Sequence, residues 1–201
     1  MHTALTRLGF TSRHNDLDRL EELVAFSPPA LLRFNFSGFY DTLDAVNDLP
    51  IALCYRQLLA AYPRAKFVLS TRDPDRWWAS MVRWHPTFKR AMWGDTLPRR
   101  NANTYKLAYG SEEPVAGDKA VARTWKAHFA AHAKDVIAAI PPEQLLVLDV
   151  TAGNATFGAL CGFLGLDRAG ECPPHKHRLP HRNKHVVLSF PLYCRCVRSP
   201  S

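Results

Sequence analysis

Lys66-Phe67-Val68-Leu69-Ser70-Thr71-Arg72-Asp73-Pro74-Asp75-Arg76-Trp77-Trp78-Ala79-Ser80 is the stretch on which the fold turns. Its first six residues form a short apolar run of the kind that buried strands show. Asp73 stands where a helix N-cap belongs and Pro74 where the first helical residue belongs, so the reading predicts a helix from there to about Trp84. Strand, tight turn and helix in immediate succession form the unit that places ligands at the carboxyl edge of a parallel sheet.

The flanking sequence supplies more such units. Met1–Gly9 reads as a helix ending at Gly9, and Phe10–Arg13 as a short strand. Asp16–Phe26 and Pro50–Tyr62 read as helices, the second opened by Asp48 as N-cap. His85–Gly117 has poor periodicity and is expected to be a flexible or substrate-facing segment. Asp118–Ile140 carries one apolar stripe (Val121, Trp125, Phe129, Ala133, Val136, Ile137, Ile140) and is halted by Pro141-Pro142. Gln144–Val150 reads as a second buried strand, and Asn154 as the cap of a helix running to Gly165. Helices alternating with strands imply an α/β fold with a parallel sheet.

Composition narrows the class. The chain has 201 residues, 47% hydrophobic, a length that favours one globular domain with a real core. Its 26 basic residues face 18 acidic ones, but six of the basic residues and none of the acidic ones follow Cys172. Charge in the remainder is therefore nearly balanced, a basic groove on the fold is not indicated, and no nucleic-acid partner is expected. The expected division is a domain over 1–172 and a basic His/Pro/Cys-rich tail over 173–201. No apolar run approaches a membrane span, and Met1-His2-Thr3-Ala4-Leu5 lacks the apolar core of a signal peptide, so the expectation is a soluble cytoplasmic protein. Five scattered cysteines do not make a disulfide framework, and Cys54 and Cys161 read as buried thiols.

Several pieces resemble, in order, the sulfotransferase-like branch of the P-loop nucleoside triphosphate hydrolase superfamily. They are Asp48-Leu49-Pro50, Ala61–Ser80, Pro142–Val150, Ala159-Leu160-Cys161-Gly162-Phe163-Leu164-Gly165 and Pro180-His181-Arg182-Asn183. The resemblance implies a P-loop-like three-layer fold, a parallel sheet flanked by helices. It implies transfer of a sulfuryl group from 3′-phosphoadenosine 5′-phosphosulfate to a small-molecule hydroxyl or amine. On the matching positions, Arg72 and Ser80 would hold the 3′-phosphate, as a dianion wants a bidentate cation, a hydroxyl and helix N-terminal amides. His14 and Asp48 would be candidates for the base that takes the acceptor's proton. Asp48 also suits a plain helix cap.

Ala4-Leu5-Thr6-Arg7-Leu8-Gly9-Phe10 resembles the end of the family's first helix. The strand and 5′-phosphosulfate loop before that helix are therefore expected to be missing, an N-terminally truncated fold. No G-x-x-x-x-G-K-[ST] occurs, and Gly153–Gly158 has only the glycine spacing. The alternative is thus a catalytically inactive nucleotide-binding or interaction protein. The aromatic cluster Trp77, Trp78, Trp84 and Trp93 suits an apolar acceptor pocket or the core. His132 reads as a polar residue beside a core stripe. Cys172, His175, His177, His181, His185, Cys194 and Cys196 offer zinc-like spacings that assemble into no known finger, and no metal is expected.

Overall fold

The computed structural model describes residues 1–15, 19–20, 28–166, 172 and 196–197. In chain order these are α1 (His2–Arg7), β1 (Ser12–His14), α2 (Pro28–Leu31), β2 (Ala45–Asn47), a 3-10 turn (Ile51–Cys54), α3 (Tyr55–Ala61) and β3 (Phe67–Thr71). They continue with α4 (Pro74–Trp93), α5 (Arg99–Tyr109), α6 (Lys119–Ala139), a second 3-10 turn (Pro142–Gln144), β4 (Leu145–Asp149), α7 (Phe157–Leu164) and β5 (Cys196–Val197). Apart from Arg19 and Leu20, which lie in a turn, the expected helix over 16–26 lies outside the described residues, as does nearly all of the 173–201 tail.

The expected α/β layering holds. β1 pairs parallel with β2, Ser12 opposite Ala45, and β3 pairs parallel with β4 through five residues, Phe67 opposite Leu145. Alternation along the strands sends neighbours to opposite faces. On one face, Ala45, Val68 and Leu148 pack with Ala4 and Leu5 of α1 and Phe157, Leu160 and Leu164 of α7. On the other, Val46, Phe67 and Leu69 pack with Leu58 of α3, Val136 of α6 and Ile140 just past it. Phe67, Val68 and Leu69 are fully buried, each stabilising the fold by about 1.5–3 kcal/mol.

A third core lies beside the sheet, where α4, α5 and α6 meet. Trp77 stacks on Phe129 at 4.3 Å and Tyr109 on Trp125 at 4.3 Å. Trp77 is thus core. Trp78 and Trp84 border the same cluster half-buried, and Trp93 packs edge-on against Phe88.

The departures from expectation have local causes. α4 runs on through Pro86 to Trp93 instead of ending near Trp84, because His85 and Phe88 continue the buried face begun by Trp77 and Met81. The segment expected to be irregular contains α5, whose buried face is Asn101, Thr104, Tyr105, Ala108 and Tyr109; polar members hid its periodicity. Thr156, not Asn154, caps α7, its hydroxyl accepting from the Ala159 amide. Ile137 is 51% exposed, outside the stripe assigned to it. β4 is a half-exposed edge strand rather than a buried one. Cys161 is bridged to Cys172, so of the two expected thiols only Cys54 is free, its burial pushing the thiol up to about 12. No helix among the described residues is long and apolar enough to cross a membrane.

Candidate active site

Parallel strands deliver their carboxyl ends to one edge, and of the four site candidates His14, Asp48 and Arg72 sit at or just past a strand's carboxyl end, while Ser80 lies within a helix. His14 closes β1; Asn47 closes β2 and Asp48 follows it; Thr71 closes β3 and Arg72 follows it; Asp149 closes β4. The two proton-handling candidates are brought together. His14 Nε2 lies 3.2 Å from Asp48 Oδ2, and the Asp48 side chain is only 2% exposed.

Asn47 fixes this pair, and the sequence reading passed over it. Its Nδ2 donates to the Arg13 carbonyl at 2.8 Å and to Ser12 Oγ at 3.2 Å, which turns Oδ1 toward His14 Nδ1 at 2.8 Å. Nδ1 therefore donates to Asn47, and His14 Nε2 and Asp48 Oδ2 face one another with a single proton position between them. Asn15 and Asp48, immediately after the two strands, have φ of 55° and 79°. Such values are uncommon outside glycine and are tolerated best by Asn and Asp.

Asp48 does not cap the following helix. Its Oδ1 accepts from the Leu49 amide at 2.8 Å, while the 3-10 turn starts after Pro50 with no side-chain cap. That leaves Oδ2 for His14. Behind Asp48 lies Tyr105 of α5, whose phenol is pushed above its ordinary range by burial first, then by the Asp48 and Glu113 carboxylates. Tyr105 in turn meets His85 edge-on at 5.4 Å.

The second half of the edge is organised by β3 and α4. Asp73 caps α4 through the Arg76 amide at 2.8 Å, with Pro74 first in the helix, as the sequence predicted. Half-buried Arg72 keeps Nε out of solvent with no hydrogen-bond partner, an uncommon condition for a guanidinium. Ser80 is half-buried in the second turn of α4. Ser70 Oγ, also buried and unpartnered, was not anticipated; only its place beside Arg72 at the end of an apolar run signalled it. Asp149 is held below the usual carboxylate range mainly by the Thr151 hydroxyl, with help from backbone amides and Arg76. His132 is half-buried on α6 with its ring edge-on to Tyr55 at 5.6 Å, consistent with a polar neighbour of the core stripe.

Among the described residues no three His, Cys, Asp or Glu side chains are grouped so as to hold a metal ion. The zinc-like spacings of the tail fall almost wholly outside those residues.

The chain is similar to a sulfotransferase domain, whose family model matches residues 1–187. A curated fungal protein, Ava biosynthesis cluster protein M of Aspergillus versicolor, is 43% identical over 47 residues. That stretch is 23% of this chain and 18% of the fungal protein, so the chain covers under a fifth of that relative's length. With strand–turn–helix units, their carboxyl-edge side chains and a family match spanning nearly the whole sequence in agreement, the chain belongs to the sulfotransferase-domain family.

Proposed function

We propose that the protein transfers a sulfuryl group from 3′-phosphoadenosine 5′-phosphosulfate to a hydroxyl or amine of a small-molecule acceptor. The observation that carries this reading is the His14–Asp48 pair, held by Asn47 at the ends of β1 and β2, with Arg72 just past the end of β3. The donor brings an activated sulfuryl group and a phosphate leaving group. The protein's own contribution is to bind that donor and to remove one proton.

Arg72 suits the donor's 3′-phosphate because its buried Nε lacks an acceptor and lies at the start of α4, where the helix dipole favours an anion. Ser80 would add a hydroxyl from the same helix. The acceptor's O–H or N–H proton passes to the His14–Asp48 pair as the acceptor bonds to sulfur and the sulfur–phosphate oxygen bond breaks. Because Nδ1 already gives its proton to Asn47, the acceptor's proton would come to rest between His14 Nε2 and Asp48 Oδ2, reached past His14, the more accessible member at 21% exposed.

A second reading rests on Arg72 and the N-terminus of α4 alone, which suit binding of the nucleotide whether or not transfer follows. In that reading the chain binds the nucleotide without turnover. Calorimetric titration with adenosine 3′,5′-bisphosphate, for wild type and Arg72→Ala, tests both. Binding lost in the mutant is expected under either reading, and sulfuryl transfer to a panel of phenols and amines then separates them. No binding by a folded wild type overturns both.

A further inference from the structure

β3 is apolar and fully buried from Phe67 to Leu69, and it turns polar at Ser70 while still inside the fold. Ser70 is 5% exposed, and its hydroxyl has no hydrogen-bond partner among the described residues. Arg72, two residues on, has its Nε in the same condition. A buried hydroxyl left unpaired costs free energy that an alanine methyl at the same place does not. Ser70 therefore carries no benefit for the free protein that an apolar residue would lack.

Alternation along β3 brings the two groups to one side. Phe67 and Leu69 face the layer that holds α3 and α6, Val68 the layer that holds α1 and α7, and Ser70 follows Val68. Across the ladder Ser70 stands opposite Leu148, an apolar member of that second layer, which has nothing to offer a hydroxyl. The pairing with β4 persists past this point, since the Val150 amide donates to the Thr71 carbonyl at 3.1 Å. Arg72 thus leaves the strand on the side of Ser70, about 6.6 Å further along. Immediately beyond it α4 begins, capped by Asp73, with its N-terminal amides and dipole at the same place.

We propose that Ser70 is a nucleotide-binding residue, its hydroxyl and the Nε edge of Arg72 holding one and the same phosphoryl group, the 3′-phosphate. The inference rests on the nucleotide reading above and adds a residue to it. Arg72 presents Nε and an Nη as the planar edge that meets two phosphate oxygens, and the Ser70 hydroxyl donates to a third acceptor position. Bound phosphate satisfies both buried groups at once, so the cost of leaving them unpaired in the free protein is recovered on binding. That makes Ser70 a contributor to affinity and not to the stability of the unliganded fold.

Ser70→Ala separates a ligand-binding hydroxyl from a structural one, because the two roles move different observables. Ser70→Cys is the second variant, keeping the volume while giving up a strong donor. Each full-length chain is titrated calorimetrically with adenosine 3′,5′-bisphosphate, adenosine 3′-monophosphate and adenosine 5′-monophosphate, and unfolded in urea without nucleotide. Affinity for the two 3′-phosphorylated nucleotides should fall about 10- to 100-fold in both variants, the range for a hydrogen bond to a charged group. Affinity for the 5′-monophosphate should stay within about twofold, and the urea midpoint of free Ser70→Ala should be unchanged or higher, since no hydrogen bond is lost. Unchanged affinity for the bisphosphate, a loss confined to the 5′-monophosphate, or a lowered midpoint of free Ser70→Ala each overturns the assignment and leaves the nucleotide reading standing. A folded wild type that binds none of the three overturns the nucleotide reading itself, and the role of Ser70 with it.

Discussion

His14 and Asp48 belong to different strands, 34 residues apart in sequence, and meet Nε2 to Oδ2 at 3.2 Å because both strands run parallel and end together. His14 is held by one buried residue, Asn47, whose amide is spent on the backbone of β1 and on the ring itself. If this pair takes the acceptor's proton, Asp48→Asn should lower the sulfuryl-transfer rate about 10²- to 10⁴-fold, with nucleotide affinity nearly unchanged. Single-turnover rates beside a calorimetric titration check this; a rate within twofold of wild type would remove Asp48 from the chemistry.

Asn47→Ala should act on stability as well as rate. It leaves the Arg13 carbonyl and His14 Nδ1 without their partner in a buried setting, a loss of about 1–3 kcal/mol. Urea unfolding at neutral pH reads it directly.

Acid should weaken the fold through two histidines. Burial holds both His85 and His132 down from 6.5 to about 4, with Glu113 and Lys89 opposing each other at His85, and Asp135 partly offsetting the effect at His132. A histidine whose folded value is depressed binds its proton more readily in the unfolded chain. Stability is therefore full above about pH 6.5 and falls as pH drops toward 4, by up to about 3 kcal/mol per group. His85→Phe should flatten part of that slope, and an unfolding series between pH 4 and 7 that kept the wild-type slope would contradict the assignment.

Gly110 ends α5 with φ at 85°, and a Cβ there would stand 2.7 Å from Thr124 Cγ2 and 3.0 Å from His128 Nε2. Gly110→Ala combines a disfavoured torsion with overpacking against α6 and should destabilise by about 1–3 kcal/mol. Gly117→Ala, whose Cβ would meet nothing within 4 Å, isolates the torsional part. Thermal melts of the two variants separate the contributions.

Reduction of the Cys161–Cys172 bridge should cost about 2–3 kcal/mol, from the chain entropy regained by a loop of this short length. The check is a Cys172→Ser variant melted beside wild type, with and without dithiothreitol.

What the sequence made legible was whatever rests on neighbouring residues. Asp73-Pro74 announces a helix start, Asp118 caps the long helix through the Ala120 and Val121 amides, and Phe67–Thr71 reads as a strand because its apolar run is too short for a helix. What it concealed depends on distant partners. α5 buries Asn101 and Thr104 beside Tyr105, so its inward face does not look apolar until α4 and α6 are packed on it. Asp48 looks like a helix cap until His14 arrives from another strand, and Asn47 carries no signal apart from its neighbours. The pairing of Cys161 with Cys172 was equally hidden, because spacing alone does not pair cysteines.

The left-handed torsion at Asp48, 79°, bears on how this protein can change over generations. Asp, Asn and Gly are the residues that accept such a backbone readily. Of the three, Asp alone carries the carboxylate that His14 faces. Substitutions to Asn or Gly would leave the chain folding and accumulating in the cell while the carboxylate that His14 faces had gone. Loss of that carboxylate would therefore be quiet, written at one position and invisible to any assay that measures only whether the protein is made.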